Sequence, residues 1–208
     1  MSEDLLPYLL PTTVFFIFCA THSLLASHKL KSALFEKLPA LKAWYRLSYN
    51  IISLLFLAVW YLTLPNDQPL YWVSGFLFFV MLFTQFIFFI LFISSIFTQD
   101  GLTFIGFKQI RDKLLYDSQP DYLDEPEKGK LIRSGFYRYI RHPMYTFAIL
   151  MLISSPIMTA NLLYATIIFG IYFWIGSWFE ERNLIKRFGD EYRIYQREVP
   201  KFIPRFFS

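Results

Sequence analysis

Two short constellations carry most of the chemistry this sequence can do. The first is Arg141-His142-Pro143-Met144-Tyr145, which opens a strongly apolar run. Proline fits the first turn of a helix, where its missing N–H costs nothing. His142-Pro143 therefore reads as a helix entry with Arg141, His142 and Tyr145 clustered at its N-terminal end. Side-chain charge, free backbone N–H groups and the helix dipole would add there to hold an anionic group. The second is Glu180-Glu181, at the far end of the next apolar run. Carboxylates at a membrane boundary are costly if they face lipid. Successive helix residues lie about 100° apart, so only one of the two is expected to share a pocket with Arg141 and His142. A cationic cluster opposed by a carboxylate pair suits a zwitterionic ligand.

The elements that position these residues are apolar helices. The chain has 208 residues, 55% of them hydrophobic, above the ~45–50% of a typical soluble domain. Apolar runs at about 5–26, 45–64 and 70–97 are long enough to cross a bilayer, which takes ~17–25 residues. Two more, 143–155 and 160–179, are split by Ser155-Pro-Ile-Met-Thr159 and form a tight helical hairpin. That hairpin brings Arg141-His142 and Glu180-Glu181 to one depth. The fold expected is all-α and integral to the membrane, with about five transmembrane helices, the C-terminal hairpin and an amphipathic C-terminal helix. Leu184, Phe188, Tyr192, Tyr195 and Val199 mark the apolar stripe of that last element, and Gly189-Asp190 its start.

Charge placement orients the chain. All 20 Lys and Arg fall within 29–46, 108–141 and 182–205, whereas the turns at 65–69 and 156–159 carry none. With five crossings the basic stretches share one face. The positive-inside rule makes that face cytoplasmic and puts the N-terminus outside. The acidic start, Met-Ser-Glu-Asp, is unlike the basic start of a signal peptide, so the first apolar run is expected to be retained. Basic stretches beside a bilayer are explained by topology and anionic lipid, so the expected partner is the membrane and not nucleic acid. The single Cys19 excludes an intrachain disulfide framework, and three scattered histidines do not make a metal site. The connection at 98–140 is too long for a passive link. Its acidic stretch at 117–127 reads as an exposed excursion, and its length suits a cover for a cytoplasmic pocket. Near the N-terminus, His22 lies towards the end of the first run. Arg46 and Asn50, four apart, are candidates for a polar clamp between helices.

Together, Arg141-His-Pro-Met-Tyr145, Glu180-Glu181 and Phe188-Gly-Asp-Glu-Tyr-Arg-Ile-Tyr195 resemble the isoprenylcysteine carboxyl methyltransferase and phospholipid methyltransferase superfamily. His22-Ser-Leu-Leu-Ala-Ser27, Tyr45-Arg-Leu-Ser-Tyr-Asn50, Ser155-Pro-Ile-Met-Thr159 and Val199-Pro200 look like its NnrU and methanethiol S-methyltransferase branch. The resemblance implies one polytopic domain: three helices over 1–97, a cytoplasmic loop over 98–140, and a cofactor-binding hairpin with an interfacial tail over 141–208. It implies methyl transfer from S-adenosylmethionine to a small or lipophilic acceptor, a thiol before a lipid amine or a prenylcysteine carboxylate. Arg141 or His142 would hold the cofactor carboxylate, Pro143 and Tyr145 would line its pocket, and Glu180 or Glu181 would bind its amino or ribose groups. Arg46 or His22 would approach the acceptor or assist its deprotonation. The family pattern has glycine where this chain has Phe147, a change that would narrow the pocket, shift the cofactor or abolish its binding. That residue keeps open a non-catalytic protein of the NnrU type. The related sterol reductases make an NADPH-dependent membrane reductase a further alternative, although this chain lacks their extra helices.

Overall fold

In the computed structural model, residues 6–98, 101–117 and 130–205 are described. The chain divides into two compact units, one from residues 1–66 and 101–125, the other from 67–100 and 126–208. Four helices are long and apolar enough to cross a membrane: Leu6–Ala26, Leu41–Leu62, Phe76–Phe97 and Ala160–Phe188. The chain is an integral membrane protein with an all-α architecture.

The first unit contains α1 (Leu9–Ala26), α2 (His28–Lys37), α3 (Leu41–Leu62), α5 (Gly101–Ile105) and α6 (Phe107–Tyr116). The threonine hydroxyls within α1 are satisfied locally. Thr12, Thr13 and Thr21 each donate to the carbonyl four residues back, which lets polar side chains lie in an apolar helix without an orphaned donor. Ser27 ends α1 and caps α2, accepting from Leu30 N. Phe15 of α1 meets Trp60 of α3, with ring centroids 6.0 Å apart. Arg46 and Asn50 form the expected clamp, and its target is backbone. Arg46 Nε donates to Phe104 O at 3.0 Å, and Asn50 Nδ2 donates to Phe104 O and Ile105 O. These carbonyls end α5, where the helix leaves its acceptors unfilled. Gly106 follows at φ +103°, and a Cβ there would lie 2.6 Å from Leu47 N. Only glycine permits both that conformation and that approach.

The second unit contains β1 (Pro69–Trp72), α4 (Phe76–Phe97), α7 (Pro143–Ile153), β2 (Ile157–Thr159), α8 (Ala160–Phe188) and α9 (Asp190–Glu198). The helix expected from residue 70 starts only at Phe76, after Gly75 at φ +66°. The residues before it form a strand. β1 and β2 pair antiparallel, Pro69 opposite Thr159 and Trp72 opposite Ile157, with an irregularity between Pro69 and Tyr71. The two turns without Lys or Arg thus lead into one small sheet, in which the two backbones satisfy each other. The sheet also starts α8: Thr159 Oγ1 accepts from Leu162 N and the Asp67 carboxylate accepts from Asn161 N.

α7 has 11 residues, so at 1.5 Å per residue it is about 16 Å long and does not cross a bilayer by itself. α8 has 29 residues and is about 44 Å long, longer than the ~30 Å apolar core. It runs on through Glu180-Glu181 to Gly189, which turns the chain at φ +57° into α9. The stripe expected there is buried: Tyr192, Tyr195 and Val199 pack with Leu131, Leu184, Ile185 and Phe188. The connection at 98–140 contains α5, α6 and a 3-10 turn at Gly135–Arg138. Most of the acidic stretch expected at 117–127 lies outside the described residues.

Candidate functional site

The second unit gathers Arg141, His142, Tyr145, Glu180 and Glu181 where α7 begins and α8 passes its first thirty ångströms. Pro143 occupies the first turn of α7 and is fully buried. His142, immediately before it, is 5% exposed and lies between the two glutamates. Its Nε2 is 3.0 Å from Glu181 Oε1, and its Nδ1 is 3.4 Å from Glu180 Oε2. Only one glutamate was expected to reach this histidine. Both do, because the two ring nitrogens lie on different edges of the imidazole and so meet carboxylates 100° apart on one helix.

The two glutamates have different surroundings. Glu181 is buried and accepts from Arg141 Nε at 2.8 Å and from Gln196 Nε2 at 2.9 Å. Glu180 is 44% exposed at its side chain and accepts from the Tyr145 hydroxyl at 3.1 Å. Tyr145 stacks on His142 on one face and on Phe173 on the other, with centroid separations of 5.4 and 4.6 Å.

Arg141 is largely committed within the protein. Besides Glu181, its Nη1 donates to Gln196 O and Val199 O. Its Nη2 makes no hydrogen bond among the described residues. The backbone is committed as well: Arg141 N donates to Pro200 O at 2.9 Å and His142 N to Lys201 O at 3.1 Å. Thr146 Oγ1 donates to Phe202 O, and the Phe202 ring lies 5.6 Å from that of His142. Residues 199–202 therefore form an extended strap along the helix entry. The N–H groups of residues 141 and 142, expected to be open to an anion, are occupied by this strap. Neither the strap nor Gln196 was evident in the sequence. Gln196 follows Tyr192 by one helical turn, and that spacing is the signal that places it beside the buried stripe.

Burial pulls the His142 pKa down, and the hydrogen bonds and charges of Glu180 and Glu181 more than offset this, so it stands above its ordinary value of 6.5. The imidazolium is the form that the two carboxylates favour. The resulting arrangement offers a half-exposed carboxylate, an imidazole behind it whose protonated form the two carboxylates favour, and one guanidinium nitrogen with no hydrogen bond among the described residues. Phe147 meets Phe136 edge-on at 5.2 Å, filling space that a glycine would leave open.

His22 and Arg46 belong to the first unit, and Tyr49 links them. The Tyr49 hydroxyl is 2.5 Å from His22 Nε2, and the Arg46 guanidinium lies 5.8 Å from the centre of the Tyr49 ring. His22 Nδ1 is 2.9 Å from Ser53 Oγ.

A family profile described as phospholipid methyltransferase matches residues 87–191, a span that contains Arg141, His142, Tyr145, Glu180 and Glu181. Methanethiol S-methyltransferase 1 of Bradyrhizobium diazoefficiens is 43% identical over 68 residues, which are 33% of this chain and 24% of that protein. Methanethiol S-methyltransferase 2 of the same organism is 26% identical over 195 residues, 92% of this chain and 71% of that protein. The protein-S-isoprenylcysteine O-methyltransferase of Schizosaccharomyces pombe is 31% identical over 80 residues, 36% of this chain and 33% of that protein. The stretches shared with the first and last of these span a third or less of their length. No solved structure matches the chain.

Proposed function

Because the chain belongs to the phospholipid methyltransferase family, we propose that it is an integral-membrane enzyme transferring a methyl group from S-adenosylmethionine to a small thiol. A lipid amine or prenylcysteine carboxylate is the next acceptor class. The observation that carries the reading is the His142 ring held between Glu180 and Glu181 beside Arg141, whose Nη2 makes no hydrogen bond among the described residues. These groups fit a zwitterionic cofactor: the half-exposed Glu180 carboxylate would take its ammonium or ribose hydroxyls, and Arg141 Nη2 its carboxylate, with His142 holding the two glutamates in place. When bound, that cofactor supplies an electrophilic methyl carbon on a sulfonium. Tyr145, stacked between His142 and Phe173, fixes the wall of the pocket. Glu181 holds Arg141 and His142 in place, which assigns it positioning and leaves ligand contact to Glu180. The family role of aligning donor and acceptor needs a rigid cradle of this kind.

The thiol preference is supported by the names of two of the relatives described above and by an apolar setting that suits a neutral, membrane-permeant acceptor. The charge distribution supports an N-terminus outside and a C-terminus in the cytoplasm. A non-catalytic NnrU-type protein is the second reading, and the Phe147–Phe136 contact is the observation in its favour. Calorimetry of the purified protein with S-adenosylmethionine, S-adenosylhomocysteine and NADPH separates the possibilities. Binding of both methyl-donor species and not of NADPH is expected, and absence of binding by either removes the methyltransferase reading.

A further inference from the structure

We propose that Lys201 and Arg182 hold the phosphate of an anionic phospholipid, and that this contact keeps the strap at 199–202 closed on the cofactor cradle. The coupling to cofactor rests on the methyltransferase reading, and the lipid site does not. Both start from two cations without counter-ions. Lys201 Nζ lies 5.3 Å from the centre of the Trp174 ring and 5.5 Å from that of Phe202. The Arg182 guanidinium lies 5.9 Å from the centre of the Trp178 ring. Neither side chain makes an ion pair or a hydrogen bond among the described residues. The carboxylates nearest to them in sequence are engaged elsewhere: Glu180 and Glu181 with His142, and Glu198 with Arg133. Aromatic faces attract a cation but leave its N–H donors open and its charge without a partner.

Trp174, Trp178 and Arg182 recur every four residues and so form one row along α8. Trp174 is 64% and Trp178 56% exposed, which turns this row away from the protein and towards lipid. At 1.5 Å per residue from Ala160, Trp178 stands about 27 Å and Arg182 about 33 Å along the helix. The boundary of a ~30 Å apolar core falls between them. Tryptophans collect at that boundary, and lipid phosphates lie just beyond it. A free phosphate would leave the two indole rings bare, and Ile203 as well, which is exposed two residues after Lys201. A phospholipid covers them with its glycerol and acyl chains while its phosphate meets the cations. A zwitterionic headgroup would bring its own cation to the site, whereas an anionic one supplies net negative charge.

The strap joins this site to the cradle. Lys201 O accepts from His142 N at 3.1 Å, and Phe202 O accepts from Thr146 Oγ1 at 3.0 Å. The Phe202 ring is 5.7 Å from that of Trp174 and 5.6 Å from that of His142, so one aromatic side chain touches both the lipid-facing row and the cradle. A lipid that binds Lys201 only while the strap is docked favours the docked state. Such coupling is reciprocal, so lipid and cofactor tighten each other's binding.

The test places the full chain in nanodiscs of phosphatidylcholine, alone or mixed with phosphatidylglycerol, and measures S-adenosylhomocysteine binding. That probe has no net charge, so a charged bilayer does not concentrate it. Phosphatidylglycerol should tighten its binding at least about fivefold. Lys201→Gln should abolish the difference between the two discs, and Lys201→Arg should keep it. Equal wild-type affinity in both discs, a difference that survives Lys201→Gln, or the same tightening by inorganic phosphate in phosphatidylcholine discs overturns the proposal and leaves the methyltransferase reading intact. Independently of cofactor, native mass spectrometry from an equal mixture of phosphatidylglycerol and phosphatidylethanolamine should show phosphatidylglycerol retained by the wild type. Lys201→Gln combined with Arg182→Gln should lose that preference. No preference in the wild type overturns the lipid site. A preference without S-adenosylhomocysteine binding in either disc upholds the lipid site and overturns both the coupling and the methyltransferase reading.

Discussion

Glu180 and Glu181 are adjacent and chemically identical, and their environments give them different work. Glu181 holds Arg141, His142 and Gln196 at once. Removing its charge leaves a buried guanidinium unpaired, a loss on the order of 3 kcal/mol. Glu181→Gln should therefore lower the thermal unfolding midpoint markedly and weaken cofactor binding as a consequence. Glu180→Gln, at a half-exposed side chain, should weaken binding with an unfolding midpoint close to wild type. Calorimetry and thermal melts on both variants check this, and equal destabilisation by the two would contradict it. His142 adds a pH signature. Its folded pKa is raised above 6.5, so its contribution to stability is complete below about pH 6.5 and is lost as pH rises through the folded value. Stability of wild type should fall across that rise, and the slope should flatten in His142→Ala. The sequence made these residues visible as types and spacing. It could not show that Arg141 faces mostly inward, because the carbonyls that claim it belong to a segment without side-chain signature.

Among the elements, helices were legible where apolar length was decisive and obscure where single residues set the ends. The stripe through Tyr192 and Val199 announced α9, and Pro143 announced α7. The pairing of β1 with β2 was hidden because each strand is three or four residues long and flanked by longer apolar runs. α2 and α6 were hidden by their mixed composition. The junction of α5 and α6 is set by one residue, Gly106, whose φ of +103° and approach to Leu47 N exclude a side chain twice over. Gly106→Ala should cost about 3 kcal/mol, combining left-handed strain and overpacking. Gly75→Ala is the control, with positive φ but no atom within 4 Å of a Cβ, and should cost about 1 kcal/mol. Thermal melts in detergent give the comparison, and equal shifts would show that the contact with Leu47 contributes nothing.

At the scale of the whole molecule, the membrane class followed from composition and four long apolar helices. The proposed orientation rests on charge placement alone. In a Cys19→Ala background, a cysteine at Asn66 should react with a membrane-impermeant maleimide added outside intact cells. A cysteine at Arg197 should react only after permeabilisation. The reverse pattern would invert the orientation and with it the side from which the cofactor arrives. The strap at 199–202 carries a further consequence, for biogenesis. The helix entry at 141–142 obtains its backbone partners from residues synthesised some sixty positions later. During translation the membrane helices can insert and pair, but the cradle stays unfinished until residue 202 has left the ribosome. A nascent chain stalled before that point would be a correctly inserted membrane protein with no cofactor affinity.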